Sequence, residues 1–195
     1  MRSILTAVLL LVALTGQVRA DTAAPAAAKV VAAARAQVGV TMFYDSSYQR
    51  IAYPMGDVPI ERGVCSDVVI RAFRTLGVDL QEQVHRDMAH HFAAYPKSWG
   101  LTAPDANIDH RRVPNLATWF KRQGYALPVS QDPATYQAGD VVTWILGGGQ
   151  PHIGIVSDRR SADDTRPLVI HNIGWGAREE DALLAYRITG HFRAF

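Results

Sequence analysis

The sequence predicts an α+β domain in which N-terminal helices pack on an antiparallel sheet of about five strands. Three observations predict it. Apolar residues recur at helical spacing through the first two-thirds of the chain, and the period changes to two after Gly139. Turn residues then separate the later runs, so strand follows strand with no helix between them. That order excludes an alternating βαβ fold.

The elements follow in order. Met1-Arg2, the apolar run Ile4 to Leu14 and the small-x-small pattern Val18-Arg19-Ala20 read as a secretory signal peptide over residues 1–20. The apolar run is too short to span a bilayer. Residues 21–195 are expected to form a single domain, with Asp21 to Pro25 as a flexible lead-in. Ala26 to Val38 predicts a first helix, stopped by Gly39. Residues 41–63 carry several Tyr, Pro and Gly without a period and read as a long structured loop. Cys65 to Leu76 is the clearest helix: Cys65, Val69, Ala72 and Leu76 form one stripe and Gly77 follows it. Further helices are expected over Glu82 to Tyr95 and Asn115 to Gln123. The expected strands are Asp140–Leu146, His152–Asp158, Leu168–Ile173, Leu183–Ile188 and a short Phe192–Phe195.

Charge excludes some functions. The chain of 195 residues has 20 Lys+Arg and 18 Asp+Glu. The signal peptide takes Arg2 and Arg19 and no acid, so the mature chain is formally neutral. No nucleic-acid partner and no polybasic membrane anchor are expected.

Cys65 is the only cysteine, in a chain expected to leave the cytosol. It has no internal disulfide partner, so it is either a small buried apolar residue or a functional thiol. Its place at a helix start predicts a lowered thiol pKa. Because it shares the stripe of Val69, Ala72 and Leu76, the thiol should point towards the sheet. There, alternation sets His152, Gly154 and Val156 on one face and Ile153 and Ile155 on the other. Gly154 is expected to let the helix end come close to the His152 face. A hairpin pairing His152 with His171 would turn between Ser161 and Ala162, inside the polar loop Arg159–Arg166. His171 then neighbours His152, while Asn172 faces the other side. A cysteine, a histidine and an orienting polar residue are the parts of a thiol nucleophile site.

These segments carry a resemblance. Gly63-Val64-Cys65-Ser66-Asp67-Val68-Val69, Ala138-Gly139-Asp140-Val141-Val142-Thr143-Trp144, His152-Ile153-Gly154-Ile155-Val156 and Ile170-His171 resemble the NlpC-type, papain-like cell-wall cysteine peptidases. With Asp109-His110-Arg111-Arg112 and His171-Asn172-Ile173-Gly174, the fuller pattern is similar to a bacterial exported family of unknown function in that superfamily. The resemblance implies a papain-like fold, Cys65 as nucleophile, His152 as general base and His171 as orienting residue. It implies hydrolysis of amide bonds in peptidoglycan stem peptides, in the periplasm, by a monomer without a cofactor. It also implies an upstream tyrosine at the oxyanion site, for which Tyr44 and Tyr53 both qualify. Where those enzymes have Asp-Cys-Ser-Gly, this chain has Val64-Cys65-Ser66-Asp67.

Asp67 either caps its own helix or touches substrate, and Arg111 and Arg112 either grip substrate carboxylates or make local ion pairs. Asp87 and His91 share a helix face at a spacing that metal ligands use, beside His85 and His90, but no second helix motif supports a metal. Two alternatives to catalysis remain at this stage. One is a zinc site of Cys65, His152, His171 and Asp67; the other is an envelope-binding module without turnover.

Overall fold

A computed structural model describes residues 24–195; the expected signal peptide lies outside them. Helix α1 spans residues 24–35 and buries Val30, Val31 and Ala34. Helix α2 is Cys65–Arg74, α3 is Leu80–His91 and α4 is Val113–Arg122. Each starts or stops where its chemistry directs. Asp79 caps α3 by accepting from the Gln81 N–H, Pro114 occupies the first turn of α4, and Gly77 and Gly124 take positive φ just beyond α2 and α4.

The expected loop 41–63 carries a small parallel pair, β1 (Phe43–Tyr44) and β2 (Arg62–Gly63). Arg71 of α2 holds this segment. Its guanidinium donates to Asp57 Oδ2 at 3.0 Å, to Thr41 Oγ1 at 3.0 Å and to the carbonyls of Val58 and Arg62 at 3.1 and 3.0 Å. Carbonyls that no strand satisfies are thereby paired, which is why a long irregular segment is ordered.

The main sheet has six strands, one more than expected: β3 (Ala126–Leu127), β4 (Val141–Ile145), β5 (Pro151–Arg160), β6 (Pro167–Asn172), β7 (Ala177–Glu180) and β8 (Arg187–Phe192). Their order is β3-β8-β4-β5-β6-β7, and every pairing is antiparallel. Helices before strands, with the helices on one face, make this the α+β architecture that the sequence predicts.

Alternation divides the sheet into two faces. Val141, Ile153, Ile155, Ile170 and Phe192 meet Val68 and Val69 of α2, Leu80 and Val84 of α3, and Leu116 and Phe120 of α4 in one core. Val142, Trp144, Val156 and Val169 face the other way, against Tyr136, Leu183 and Ile188. Truncating a side chain such as Phe120, which is fully buried, removes about 3–5 kcal/mol.

Three expectations need correction. Leu183 to Tyr186 is not strand: Leu183 plugs the second core, with its carbonyl accepting from Trp144 Nε1 at 2.9 Å, and pairing begins at Arg187. The last strand ends at Phe192, so the residues after it are not an additional strand. The β5–β6 register also differs, because His171 pairs with Gly154 instead of His152. An irregularity between Val156 and Arg160 displaces the turn. A two-residue shift keeps parity, so His152 and His171 still share a face.

Candidate active site

Cys65 is the first residue of α2, and the chain enters it extended at Val64. Valine has no side-chain acceptor for the helix start, and Asp67 supplies part of what is missing by accepting from the Val64 N–H at 2.7 Å. Gly63 permits this closeness, since a Cβ there would lie 3.1 Å from both Asp67 Cβ and Oδ2. Asn172 closes the same corner from the sheet, donating from Nδ2 to the Gly63 carbonyl at 3.1 Å.

The thiol is 3 % exposed and lies against β5. Burial pushes its pKa up to about 12, against the pull of backbone hydrogen bonds from Ile153, Ser66 and Cys65 itself. The lowering expected from a helix start is therefore overridden by desolvation, and the thiol is neutral at pH 7. Above it lies a groove of about 440 Å³, walled by Tyr44, Tyr48, Trp99, Arg112 and Pro151. Burial, followed by the charges of Cys65 and Asp67, raises Tyr44 to about 12, so its phenol remains a donor at neutral pH.

His152 and His171 are 3 % and 1 % exposed, and His152 Nε2 meets His171 Nδ1 at 2.7 Å. His171 Nε2 continues to Glu180 Oε2 at 3.3 Å. Burial, then the neighbouring His171, lowers the His152 pKa to about 3, and burial lowers that of His171. Both rings are neutral at pH 7. Gly154 serves this face in a way the sequence did not predict. A Cβ there would stand 3.0 Å from His171 Cβ and 2.8 Å from Val169 Cγ1, so the glycine makes room for the adjacent strand and not for the helix end. The helices cover the Ile153 face instead. The thiol thus rests against the backbone of the residue that follows His152, and Sγ makes no hydrogen bond to either ring.

The other predicted site residues divide. Tyr44 and Arg112 line the groove, Arg112 lying 4.5 Å over the Trp99 ring and 3.5 Å from Asp109. Tyr53 is elsewhere, edge-on to His85 at 5.2 Å. Asp67 and Arg111 form a buried bidentate pair at 3.0 and 2.9 Å, and Arg111 also donates to the carbonyls of Ser47 and Asp45. Arg111 lies in the groove wall with Asp67 behind it, and its guanidinium has no free edge for a substrate carboxylate. Asp87 is engaged by Arg122 and Tyr95 at 2.6 Å each. Among the described residues no three His, Cys, Asp or Glu side chains converge as metal ligands do. Sequence reasoning missed Tyr48, Trp99 and Glu180, and it set Asn172 on the face away from His171 without the bond to Gly63 that it makes there.

A family described as "Domain of unknown function (DUF1287)" matches residues 31–194. A relative from Escherichia coli (strain K12), "Uncharacterized protein YijF", is 60 % identical over 162 residues, covering 83 % of this chain and 78 % of the relative. Among solved structures, NlpC1 from Trichomonas vaginalis is similar over 86 % of this chain at 12 % identity and a TM-score of 0.46, and the chain spans 43 % of that structure's length. The family match runs from within α1 to two residues past the last strand, through the thiol, both histidines and the groove, and the chain belongs to the DUF1287 family.

Proposed function

We propose that this protein is an exported thiol-dependent hydrolase that cleaves amide bonds in the peptide stems of peptidoglycan, in the periplasm. One observation carries the reading. The lone thiol begins a helix at the foot of an open groove, backed by the N-terminal half of the strand on which a His152–His171–Glu180 chain begins. Cys65 is the nucleophile and His152 Nδ1 the acceptor of its proton. His152 enters β5 one residue before Ile153, whose backbone lies against the thiol. As a substrate carbonyl arrives, the S–H proton passes to Nδ1 and sulfur bonds to carbon. The carbonyl oxygen becomes an oxyanion facing the Tyr44 hydroxyl. Collapse expels the amine, which takes the proton from His152. Water, activated by the same nitrogen, then hydrolyses the thioester. Arg112 and the aromatic walls receive the peptide.

The sheltered, neutral thiol favours a second reading, a binding module that holds the same ligand without turnover. Incubating purified muropeptides with the protein and with Cys65→Ala, and identifying products by mass spectrometry, separates the two. Hydrolysis by the wild type alone, unchanged by EDTA, is expected. Binding without products in either sample would leave the module.

A further inference from the structure

Glu180 stands at the far end of the histidine chain. Its Oε2 lies 3.3 Å from His171 Nε2, while Arg178 Nη1 lies 3.4 Å from its other oxygen. A carboxylate accepts hydrogen bonds and does not donate them, so His171 Nε2 must carry the proton in this contact. A neutral imidazole has one N–H, which leaves His171 Nδ1 bare. The 2.7 Å contact between His171 Nδ1 and His152 Nε2 then needs its proton on His152 Nε2. With that nitrogen protonated, the lone pair of neutral His152 is on Nδ1. The alternative order, with His152 Nδ1 protonated, would oppose a bare His171 Nε2 to the carboxylate.

We propose that Glu180 is a positioning residue that sets the tautomers of both histidines through one directional chain, and so keeps His152 Nδ1 free to accept a proton. The role rests on the thiol hydrolase reading for its purpose, but the tautomer order stands on the geometry alone. Glu180 touches neither the groove nor the thiol, and it acts two rings away, from the edge of the sheet. Its charge also opposes the burial that lowers the His171 pKa, and so favours a chain able to hold a proton in passing.

Long-range ¹H–¹⁵N correlation spectra of ring-labelled protein at pH 7.5 test this without any substrate. Both His152 and His171 are expected as Nε2–H tautomers. Glu180→Ala should bring the Nδ1–H form of His171 into the population, and that of His152 with it. Glu180→Lys, a donor at the same half-exposed position, should drive both rings towards Nδ1–H and keeps the test open where the alanine variant folds poorly. A wild-type His152 in the Nδ1–H form, or tautomers unmoved in both variants, would overturn the proposal. Where muropeptide turnover is measurable, Glu180→Ala should lower kcat about tenfold at unchanged KM, the loss of one charge-assisted hydrogen bond. Absence of turnover in the wild type would remove the hydrolase reading and leave the tautomer result standing.

Discussion

Neutral partners govern the chemistry at Cys65. A thiol held near pKa 12 carries little thiolate at neutral pH, so iodoacetamide should label the native protein at pH 7.5 at least about tenfold more slowly than a model thiol. The rate should go on rising beyond pH 10. Labelling as fast as a free thiol would mean that a thiolate–imidazolium pair already exists at rest. In the proposed hydrolysis His152 has a role that no amide can fill, so His152→Asn should lower turnover by about 10²-fold or more. His171 has to present an acceptor to His152 Nε2, which an asparagine carbonyl does and an alanine does not, so His171→Asn should retain more activity than His171→Ala. Initial rates on one muropeptide check all three variants, and an active His152→Asn would displace the base assignment. Asn172 faces away from the histidines, as strand parity predicts, but the face it looks onto belongs to the thiol. Its bond to Gly63 lies two residues before Cys65, and Asn172→Ala should cost about 1 kcal/mol or more by chemical denaturation.

The elements that were legible in the sequence are those whose residue types repeat their own period, even where, as in α2 from Cys65 to Phe73 and β5 from His152 to Ser157, every residue is buried. Helix α2 was readable because Cys65, Val69 and Ala72 stack on one buried stripe, and β5 because Ile153 and Ile155 alternate with His152 and Gly154. Strand β7 has no such pattern: Ala177-Arg178-Glu179-Glu180 is held by backbone pairing to β6 and by the ion pair of the largely buried Glu179 with Arg35 of α1 at 2.8 Å. The converse error, reading Leu183 to Tyr186 as strand, arose because an apolar run can fill a core without pairing. The helix start at Cys65 and the shared face of His152 and His171 were likewise readable from local context, whereas the Asp67–Arg111 pair spans 44 residues of sequence and leaves no local trace. That pair joins the start of α2 to the turn at Asp109–Arg111 and, through Arg111, to the loop at Asp45 and Ser47. Arg111→Ala leaves a buried carboxylate without its partner and should cost about 3–5 kcal/mol. Arg112→Ala, which removes a groove cation with a weaker contact, should cost well under half of that. Urea unfolding of the two variants measures the contrast, and equal losses would mean that the buried pair contributes no more than the groove cation.

Among the described residues, burial lowers the pKa of three of the four buried histidines. Burial, before any other cause, lowers His110 and His152 to about 3 and also lowers His171. Unfolded histidines titrate near 6.5, so below that pH the unfolded chain binds protons that the folded chain refuses. The contribution of His110 and His152 is complete above about pH 6.5 and is lost as pH falls towards 3, at up to about 1.4 kcal/mol per pH unit for each of the two, and His171 adds to it in the same direction. Urea midpoints should therefore fall steadily between pH 7 and 4.5, before most carboxylates titrate, and His110→Gln should flatten the slope. A midpoint independent of pH over that range would show that these rings are hydrated in the folded state. At the margins of the sheet, β3 has two residues and β7 has four, three of them charged. A second copy adding a strand beside β7 would have to lay its backbone against Arg178 and Glu180 and strip water from them, while Glu179 is already engaged by Arg35 and Ser157. The short acidic strand that reaches His171 thus also guards against edge-to-edge aggregation, so replacing Arg178 and Glu180 with β-branched residues would break the histidine–carboxylate chain and open a strand edge to a second copy.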